Sequence, residues 1–269
     1  MDEIIQFNRE TLTNVKNWIN RNDWEKPNSI FNYGLPDYIF DLINLPIDNN
    51  ITEVDMICKY LTQFDKKINY LEIGVSVGKT FYQIIKFANT ILKDIEDKSF
   101  SCIDIEKINP TLENLLDDMY DTKIIVRSNL DQDNKNSIRK KSHNFISTWN
   151  NNINYYESDE FDKNIWKTMK KQFNLIFSDA LHDPSALIFE YHSIKNNNLL
   201  DIDGFIYCFD DLENEKNGPM WNAVNTIFMD IKIQYPLLNV TLEHFVVNGW
   251  IGQHERKHNF GVIKCLPNQ

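Results

Sequence analysis

Long hydrophobic runs are absent. No apolar stretch of the 269-residue chain approaches the roughly 20 residues that a bilayer-spanning helix needs. The opening Met-Asp-Glu-Ile-Ile-Gln has no basic region followed by an apolar stretch, so no signal peptide is expected. The resulting expectation is a soluble, intracellular, cytoplasmic protein with no membrane partner. An excess of positive charge is also lacking. The formal net charge is −11, and affinity for nucleic acid depends on clustered Lys and Arg, so no nucleic-acid partner is expected. The one basic cluster, Arg139-Lys140-Lys141, is short and reads as a solvated face. Cysteine is sparse: Cys58, Cys102, Cys208 and Cys265 lie far apart with no Cys-x-x-Cys pair. Buried free thiols fit this spacing better than a zinc site or a disulfide framework.

What the chain does have is apolar content and a repeating order of elements. Hydrophobic residues make up 42% of the sequence, enough for the core of one large α/β domain. Residues 1–65 read as helices and loops, an N-terminal helical cap, with apolar spacing over Thr11–Asn20, Pro36–Leu45 and Val54–Phe64. From Asn69 the pattern alternates. Strands are predicted at Tyr70–Ile73, Phe100–Ile105, Ile124–Val126, Asn154–Tyr156, Asn174–Ser178 and Gly204–Phe209. Helices are predicted at Lys79–Leu92, Lys163–Lys171, Pro184–Asn196 and Trp221–Ile233. The polar segment Asn129–Asn152 reads as an insertion. Strands spaced by helices imply right-handed βαβ units and a parallel sheet covered on both faces. The last two strands, Val240–Val247 and Phe260–Cys265, have no helix between them and form a hairpin, so one of them runs antiparallel.

The first strand runs into Gly74-Val-Ser-Val-Gly78, which opens a helix. A ligand at such a turn meets backbone N–H groups and the positive end of a helix dipole. Three ligands fit this geometry in general. Gly78-Lys79-Thr80 looks like the end of a P-loop, but that motif needs four residues between its glycines and here there are three. Gly-x-Gly-x-x-Gly for a dinucleotide fails because position 76 is Ser. The third is S-adenosylmethionine: its methyltransferases carry an acid and then Gly-x-x-x-Gly directly after the first strand, a form that Glu72-Ile-Gly74-Val-Ser76-Val-Gly78 resembles. Asp104 ends the next strand, where a carboxylate accepts hydrogen bonds from both ribose hydroxyls. Glu106 lies beyond that strand end, and a helix N-cap is the structural alternative for Asp104.

On these residues, positions 69–265 resemble a class I S-adenosylmethionine-dependent methyltransferase. The resemblance implies a Rossmann-like, mostly parallel seven-stranded sheet with a C-terminal antiparallel hairpin, the domain spanning 66–269 behind the 1–65 cap. It also places the adenine contact after the Asn154–Tyr156 strand, at Ser158 and Asp159. The competing candidate is Ser128-Asn129.

Two further segments follow strongly apolar strands: Ser178-Asp179-Ala-Leu-His182 and Phe209-Asp210-Asp211. In an open parallel sheet ligands collect at the carboxyl ends of strands, so Asp179, Asp210 and Asp211 converge beside the glycine turn. Three crowded carboxylates repel unless a cation is present, and a hard divalent ion such as Mg²⁺ suits oxygen ligands. The pattern is similar to the metal-dependent O-methyltransferases, both the catechol type and the macrocin type that acts on sugar hydroxyls. Those families place one acid after strand four and a pair after strand five, with Lys (catechol type) or His (macrocin type) three residues past the first acid. Here that residue is His182. The resemblance implies Mg²⁺ at Asp179, Asp210 and Asp211, and His182 as general base. It further implies a small-molecule hydroxyl acceptor, a sugar or nucleotide sugar, and a homo-oligomer. The structural alternatives are a helix cap for Asp179, a solvated turn for Asp210-Asp211 and a structural histidine. Asp/Asn-Pro-Pro-Tyr, the signature of base N-methylation, is absent.

His254-Glu-Arg-Lys-His258 matches the zinc-protease pattern His-Glu-x-x-His. That chemistry needs a helix, whereas Gly249-Trp-Ile-Gly252 and Asn259-Phe-Gly261 flank the match and favour a loop between strands. The match reads as coincidence. Trp250, Gln253, His254, His258, Trp221 and the 214–220 loop are instead candidates for acceptor contact.

Overall fold

Strand and helix alternate from residue 67 onward, as the apolar runs bounded by turn residues require. The computed structural model describes residues 52–127, 145–214, 216–248 and 257–268. The strands are β1 (Lys67–Ile73), β2 (Asp97–Asp104), β3 (Lys123–Arg127), β4 (Phe145–Trp149), β5 (Ile153–Glu157), β6 (Leu175–Ser178), β7 (Phe205–Leu212), β8 (Asn239–Asn248) and β9 (Lys257–Leu266). The helices are α1 (Glu53–Leu61), α2 (Lys79–Thr90), α3 (Pro110–Met119), α4 (Lys163–Thr168), α5 (Pro184–Asn196) and α6 (Pro219–Gln234).

The strands form one sheet in the order β3-β4-β5-β2-β1-β6-β7-β9-β8. The five central strands, β5 to β7 in that order, pair in parallel. Both flanks are antiparallel: β3 and β4 on one side, β9 and β8 on the other. The terminal hairpin is as expected, with β9 inserted next to β7. The sheet has nine strands among the described residues, where the resemblance implied seven and the strand-by-strand reading eight. Part of the difference lies in the segment read as a polar insertion. Residues 128–144 lie outside the described residues, but Phe145–Trp149 is a strand joined to β5 by a tight turn. Asn150 and Asn151 both take positive φ there (45° and 62°), and Asn152 N–H donates to Trp149 O at 3.1 Å. Two successive left-handed residues are what a type I′ turn requires, and Asn tolerates that conformation.

Side chains alternate across the sheet and divide the core in two. On one face Ile68, Tyr70, Cys102, Phe177 and Cys208 pack with α1, α2 and α3. On the other Leu71, Ile73, Phe205, Tyr207 and Phe209 pack with α4, α5 and α6. Fully burying each such side chain stabilises the fold by about 1.5–3 kcal/mol. Of the N-terminal cap expected over 1–65, residues 1–51 lie outside the described residues. Helix α1 contributes Met56, Ile57 and Tyr60 to the first core layer and starts at a capping box, Thr52 with Asp55. No helix among the described residues is long and apolar enough to cross a membrane. All four cysteines are buried and free, as their spacing predicts.

The chain turns from β1 into α2 through three residues with positive φ: Gly74 (85°), Ser76 (51°) and Gly78 (79°). At Gly74 the backbone of the next strand's end lies against the α-carbon. A Cβ there would stand 2.4 Å from Asp179 O and 2.5 Å from Ala180 Cα. At Gly78 the obstacle is the movable side chain of Leu112. We therefore expect Gly74→Ala to destabilise the protein by at least about 2 kcal/mol and by more than Gly78→Ala. Urea unfolding of the two variants checks the order.

Candidate functional site

β1 and β6 are adjacent, yet the chain leaves β1 toward β2 and β5 and leaves β6 toward β7. That reversal opens a crevice at the carboxyl ends, where ligands of open α/β sheets bind. The residues predicted to bind cofactor and metal, with His182, lie in the turns at this edge or in the strand ends that lead into it.

On the β2–β5 side stand the glycine turn, Asp104, Ser158 and Asp159. Asp104 Oδ2 accepts from Val75 N at 2.7 Å and Ser76 N at 2.8 Å, and its Oδ1 accepts from Glu106 N at 2.7 Å. Gly74 N donates to Ile103 O, and Gly78 N to Val75 O. The expectation of backbone N–H groups open to a ligand is therefore corrected: those of Gly74, Val75, Ser76 and Gly78 are satisfied within the protein. Asp104 is not the cap of the following helix, since Asn109 caps α3. Ser158 is bound to β2 through its N–H, which donates to Asp104 O at 2.8 Å, so the ends of β2 and β5 are held level. Asp159 is buried, and its Oδ1 accepts from Phe161 N at 2.9 Å. Ser128 and Asn129 lie outside the described residues.

Glu72 faces the first core layer. Its Oε2 accepts from Tyr70 Oη at 2.7 Å, and it makes a backbone hydrogen bond with Phe81 in α2. It ties the first turn of α2 to β1. Burial raises its pKa to about 8, with Asp104 and Glu53 adding to the rise against the opposing Tyr70 hydrogen bond.

On the β6–β7 side lie the acids and histidines. Asp183, not Asp179, caps α5, its side chain accepting from Ser185 N at 2.8 Å. Asp179 is left facing the crevice. Its pKa is driven well above the usual carboxylate range by burial and by the Asp210, Glu53, Glu72 and Asp211 carboxylates. His182 stands at the exposed rim. Its Nε2 is 3.8 Å from Asp179 Oδ1 and 3.7 Å from Asp211 Oδ2.

Asp210 and Asp211 are neighbours in a strand, and alternation would send them to opposite faces. A bulge prevents this. The β7–β9 register shifts between Phe209 and Leu212, and Asp211 takes a φ of 50°. Both carboxylates then reach one imidazole: His258 Nδ1 is 2.5 Å from Asp211 Oδ1 and 3.5 Å from Asp210 Oδ2. Burial lowers the pKa of His258, but the attraction of Asp210 and Asp211 outweighs it and raises the value to about 10. Asp210, Asp211 and His258 offer ligand atoms within 4.8 Å of one another, a spacing a metal ion could bridge, and Asp179 falls outside that group. The acid pair is not the solvated turn that was the alternative reading: Asp210 is 7% exposed.

Sequence reasoning did not find a second buried group beneath this one. Glu53 and Asp55 in α1 and Lys79 at the start of α2 are all buried. Burial and the Asp210 carboxylate raise the pKa of Glu53, against the pull of Lys79 and His258. Burial raises Asp55 to about 6, and burial lowers Lys79 against the pull of Glu53 and Asp55. His258 itself was visible only as an acceptor-contact candidate. The available signal was its even spacing from the apolar Phe260 and Val262, which puts it on the buried face of β9. Trp221 is buried, its Nε1 donating to Glu213 O at 2.8 Å. Trp250, Gln253 and His254 lie outside the described residues.

Glu72 makes stability fall with pH. Its folded pKa of about 8 exceeds its ordinary value of 4.5, so the folded protein keeps a proton that the unfolded chain releases in that window. Stability is complete below the lower value and is lost as pH rises toward the upper. We expect Glu72→Gln, which mimics the protonated form, to flatten this slope. At pH 8 it should gain roughly 2–4 kcal/mol relative to its effect at pH 5, read from urea midpoints.

No protein-family model matches the chain, and no curated protein matches it. Solved structures do. The O-methyltransferase from Bacillus cereus in complex with SAH aligns with 93% of this chain and 99% of its own, at 13% identity and a TM-score of 0.50. The O-methyltransferase TomG from Streptomyces achromogenes, involved in tomaymycin synthesis and solved with SAM, covers 87% of this chain and 92% of its own at 10% identity and 0.49. Magnesium protoporphyrin IX methyltransferase from Synechocystis, with bound SAM, covers 95% and 97% at 10% identity and 0.47. The likeness to the Bacillus cereus enzyme is one of architecture: this chain has the Rossmann-like fold of the class I methyltransferases.

Proposed function

We propose that the chain transfers the methyl group of S-adenosylmethionine to a hydroxyl oxygen of a small molecule, a sugar or glycoside, with the help of a divalent cation. One observation carries this reading. The Gly74–Gly78 turn, Asp104 and Asp159 meet Asp179, His182, Asp210 and Asp211 at a single carboxyl edge, on the two sides of the β1–β6 crevice. When bound, S-adenosylmethionine supplies a methyl group already activated on a sulfonium, and a cation lowers the pKa of a neighbouring hydroxyl.

The chain's own residues supply placement and a proton acceptor. The missing side chain at Gly74 lets the end of β6 close against the end of β1, which sets the glycine turn beside Asp179. Asp104 holds the turn through Oδ2 and presents its carboxylate toward ribose hydroxyls, and Ser158 and Asp159 line the adenine side. Asp179, Asp210 and Asp211 give the oxygen donors that a hard cation such as Mg²⁺ prefers. His182, beside two carboxylates and open to the rim, takes the hydroxyl proton at Nε2, as an imidazole does near neutral pH. Holding the oxygen in line with the methyl group supplies much of the acceleration. The sugar assignment rests on His182 standing three residues past Asp179, the macrocin-type spacing. Residues 66–269 form the catalytic unit, with 1–65 as its cap.

Calorimetric titration should give saturable S-adenosylmethionine binding, weakened at least about tenfold in Asp104→Asn, which keeps an acceptor for the turn but loses the charge. No binding to the unsubstituted protein would sink the whole reading. A methyl-transfer screen over nucleotide sugars, glycosides and catechols, with and without EDTA, identifies the acceptor. On that acceptor His182→Ala should lower kcat between about 100- and 10,000-fold. Unchanged turnover would reject His182 as the base, and turnover indifferent to EDTA and to Asp179→Ala would reject the cation.

A further inference from the structure

We propose that His258 is a direct ligand, together with Asp210 and Asp211, of a divalent cation that accepts nitrogen, of the manganese, iron(II), cobalt or zinc class. The inference deepens the cation-assisted reading above and rests on it for the cation's use in turnover, though not for its binding.

The carboxylates alone would not support it. The independent observation is the histidine. His258 is 6% exposed, and neither ring nitrogen has a hydrogen-bond partner among the described residues. Nδ1 faces the acid pair directly, 2.5 Å from Asp211 Oδ1 and 3.5 Å from Asp210 Oδ2. Asp210 Oδ1 is also buried with no partner among the described residues. Leaving such a group unsatisfied costs about 1–3 kcal/mol, more for a charged one, and a cation between the acid pair and Nδ1 would satisfy Nδ1 and Asp210 Oδ1 together. The Asp210, Asp211 and His258 donors lie within 4.8 Å of one another.

The backbone builds this group by two separate devices. The bulge at Asp211 turns consecutive carboxylates to one side of β7. The register of β9, with Asn259 opposite Leu212, brings His258 level with them. The surroundings raise the demand for positive charge. Glu53 is buried close by in α1, with Oε2 unpartnered among the described residues.

Donor type then sets the metal. Magnesium takes oxygen and keeps its waters, whereas an imidazole donor favours first-row transition ions in the order of their nitrogen affinity. The competing structure is an imidazolium clamp, in which His258 is a cation neutralising the two acids. The two readings have opposite signs. Removing a ligand weakens metal binding, while removing a competing positive charge strengthens it.

The full-length protein, stripped with EDTA and freed of chelator, is titrated with Mn²⁺ and separately with Mg²⁺, without substrate. We expect Mn²⁺ to bind at least tenfold more tightly than Mg²⁺, and His258→Gln to weaken Mn²⁺ at least tenfold. Electron spin echo modulation of the Mn²⁺ complex should show a directly coordinated ¹⁴N that persists in His182→Ala and vanishes in His258→Gln. Because the modulation is read first on the unsubstituted protein, a variant that fails to fold does not spare the proposal. Absent nitrogen modulation, modulation lost in His182→Ala, equal affinity for the two ions, or tighter Mn²⁺ binding in His258→Gln would each overturn it. Failure of S-adenosylmethionine to bind would instead overturn the methyltransferase reading and leave the metal result standing.

Discussion

The backbone contact between Gly74 and Asp179–Ala180 is the constraint on which the rest of the site depends. Two parallel strands whose chain paths diverge must end side by side with nothing between them. Here they end so close that a single added carbon would stand 2.4 Å from a carbonyl oxygen. That contact fixes where β1 turns away, and with it the left-handed path through Ser76 and Gly78 into α2. It also fixes where Asp179 leaves β6. The glycine-turn side and the acid side of the crevice are thus set at one distance by a single packing fact, and later side chains only furnish it.

What furnishes it is charge that folding alone would not select. Burial raises the pKa of Glu53, Glu72 and Asp179, and neighbouring carboxylates, Asp210 and Asp211 among them, add to the rise. A buried carboxylate without compensation costs several kcal/mol, and a core of the same volume made from apolar residues would be cheaper. Lys79 and His258 offset part of the crowding from two sides, one from the start of α2 and the other from β9. Where a sequence departs this far from what stability favours, the departure marks a place kept for binding or chemistry. The other face of the sheet, where Leu71, Ile73 and Phe209 pack, buries one acid too: Glu190 in α5 accepts from Ser178 Oγ at 2.6 Å.

Much of this was legible in the sequence, and the parts that were not share a cause. The parallel strands announce themselves because burial on both faces makes them near-continuous apolar runs. The terminal hairpin follows from a missing helix. The acid, glycine turn and second acid could be placed on strand ends because local pattern fixes both strand and turn. Strand β4 escaped because an antiparallel flank strand, Phe-Ile-Ser-Thr-Trp, is short, breaks apolar alternation and lies in a polar neighbourhood, although Asn150-Asn151 was a readable turn signal. The hydrogen bonds that close Asp104 over Val75 and Ser76 could not be read, since they join residues 28 and 29 positions apart. Lys79 looked like the tail of a phosphate loop, and only tertiary packing of α1 over α2 makes it a buried cation.

His258 is the sharpest case, because its motif pointed away from its place. Read along the chain, it completes His-Glu-x-x-His and suggests a helix that the flanking glycines forbid. Read across the sheet, it lies on a strand inserted between β7 and β8, so its neighbours come from residues some 47 positions earlier. Two conditions had to hold together for it to meet the acid pair. The last strand had to pair with β7 and not lie outside β8, and the bulge had to hold Asp211 in a left-handed conformation that most side chains avoid. Neither condition leaves a local signature: an Asp-Asp pair at a strand end is compatible with a plain turn, and insertion order depends on the whole sheet. A residue in the left-handed region costs of order 1 kcal/mol or more, and such strain persists where surrounding structure fixes it, commonly at functional sites. The strain at Asp211 and the unsatisfied nitrogens of His258 are therefore best understood together, as two sides of one arrangement that turns consecutive carboxylates onto one imidazole.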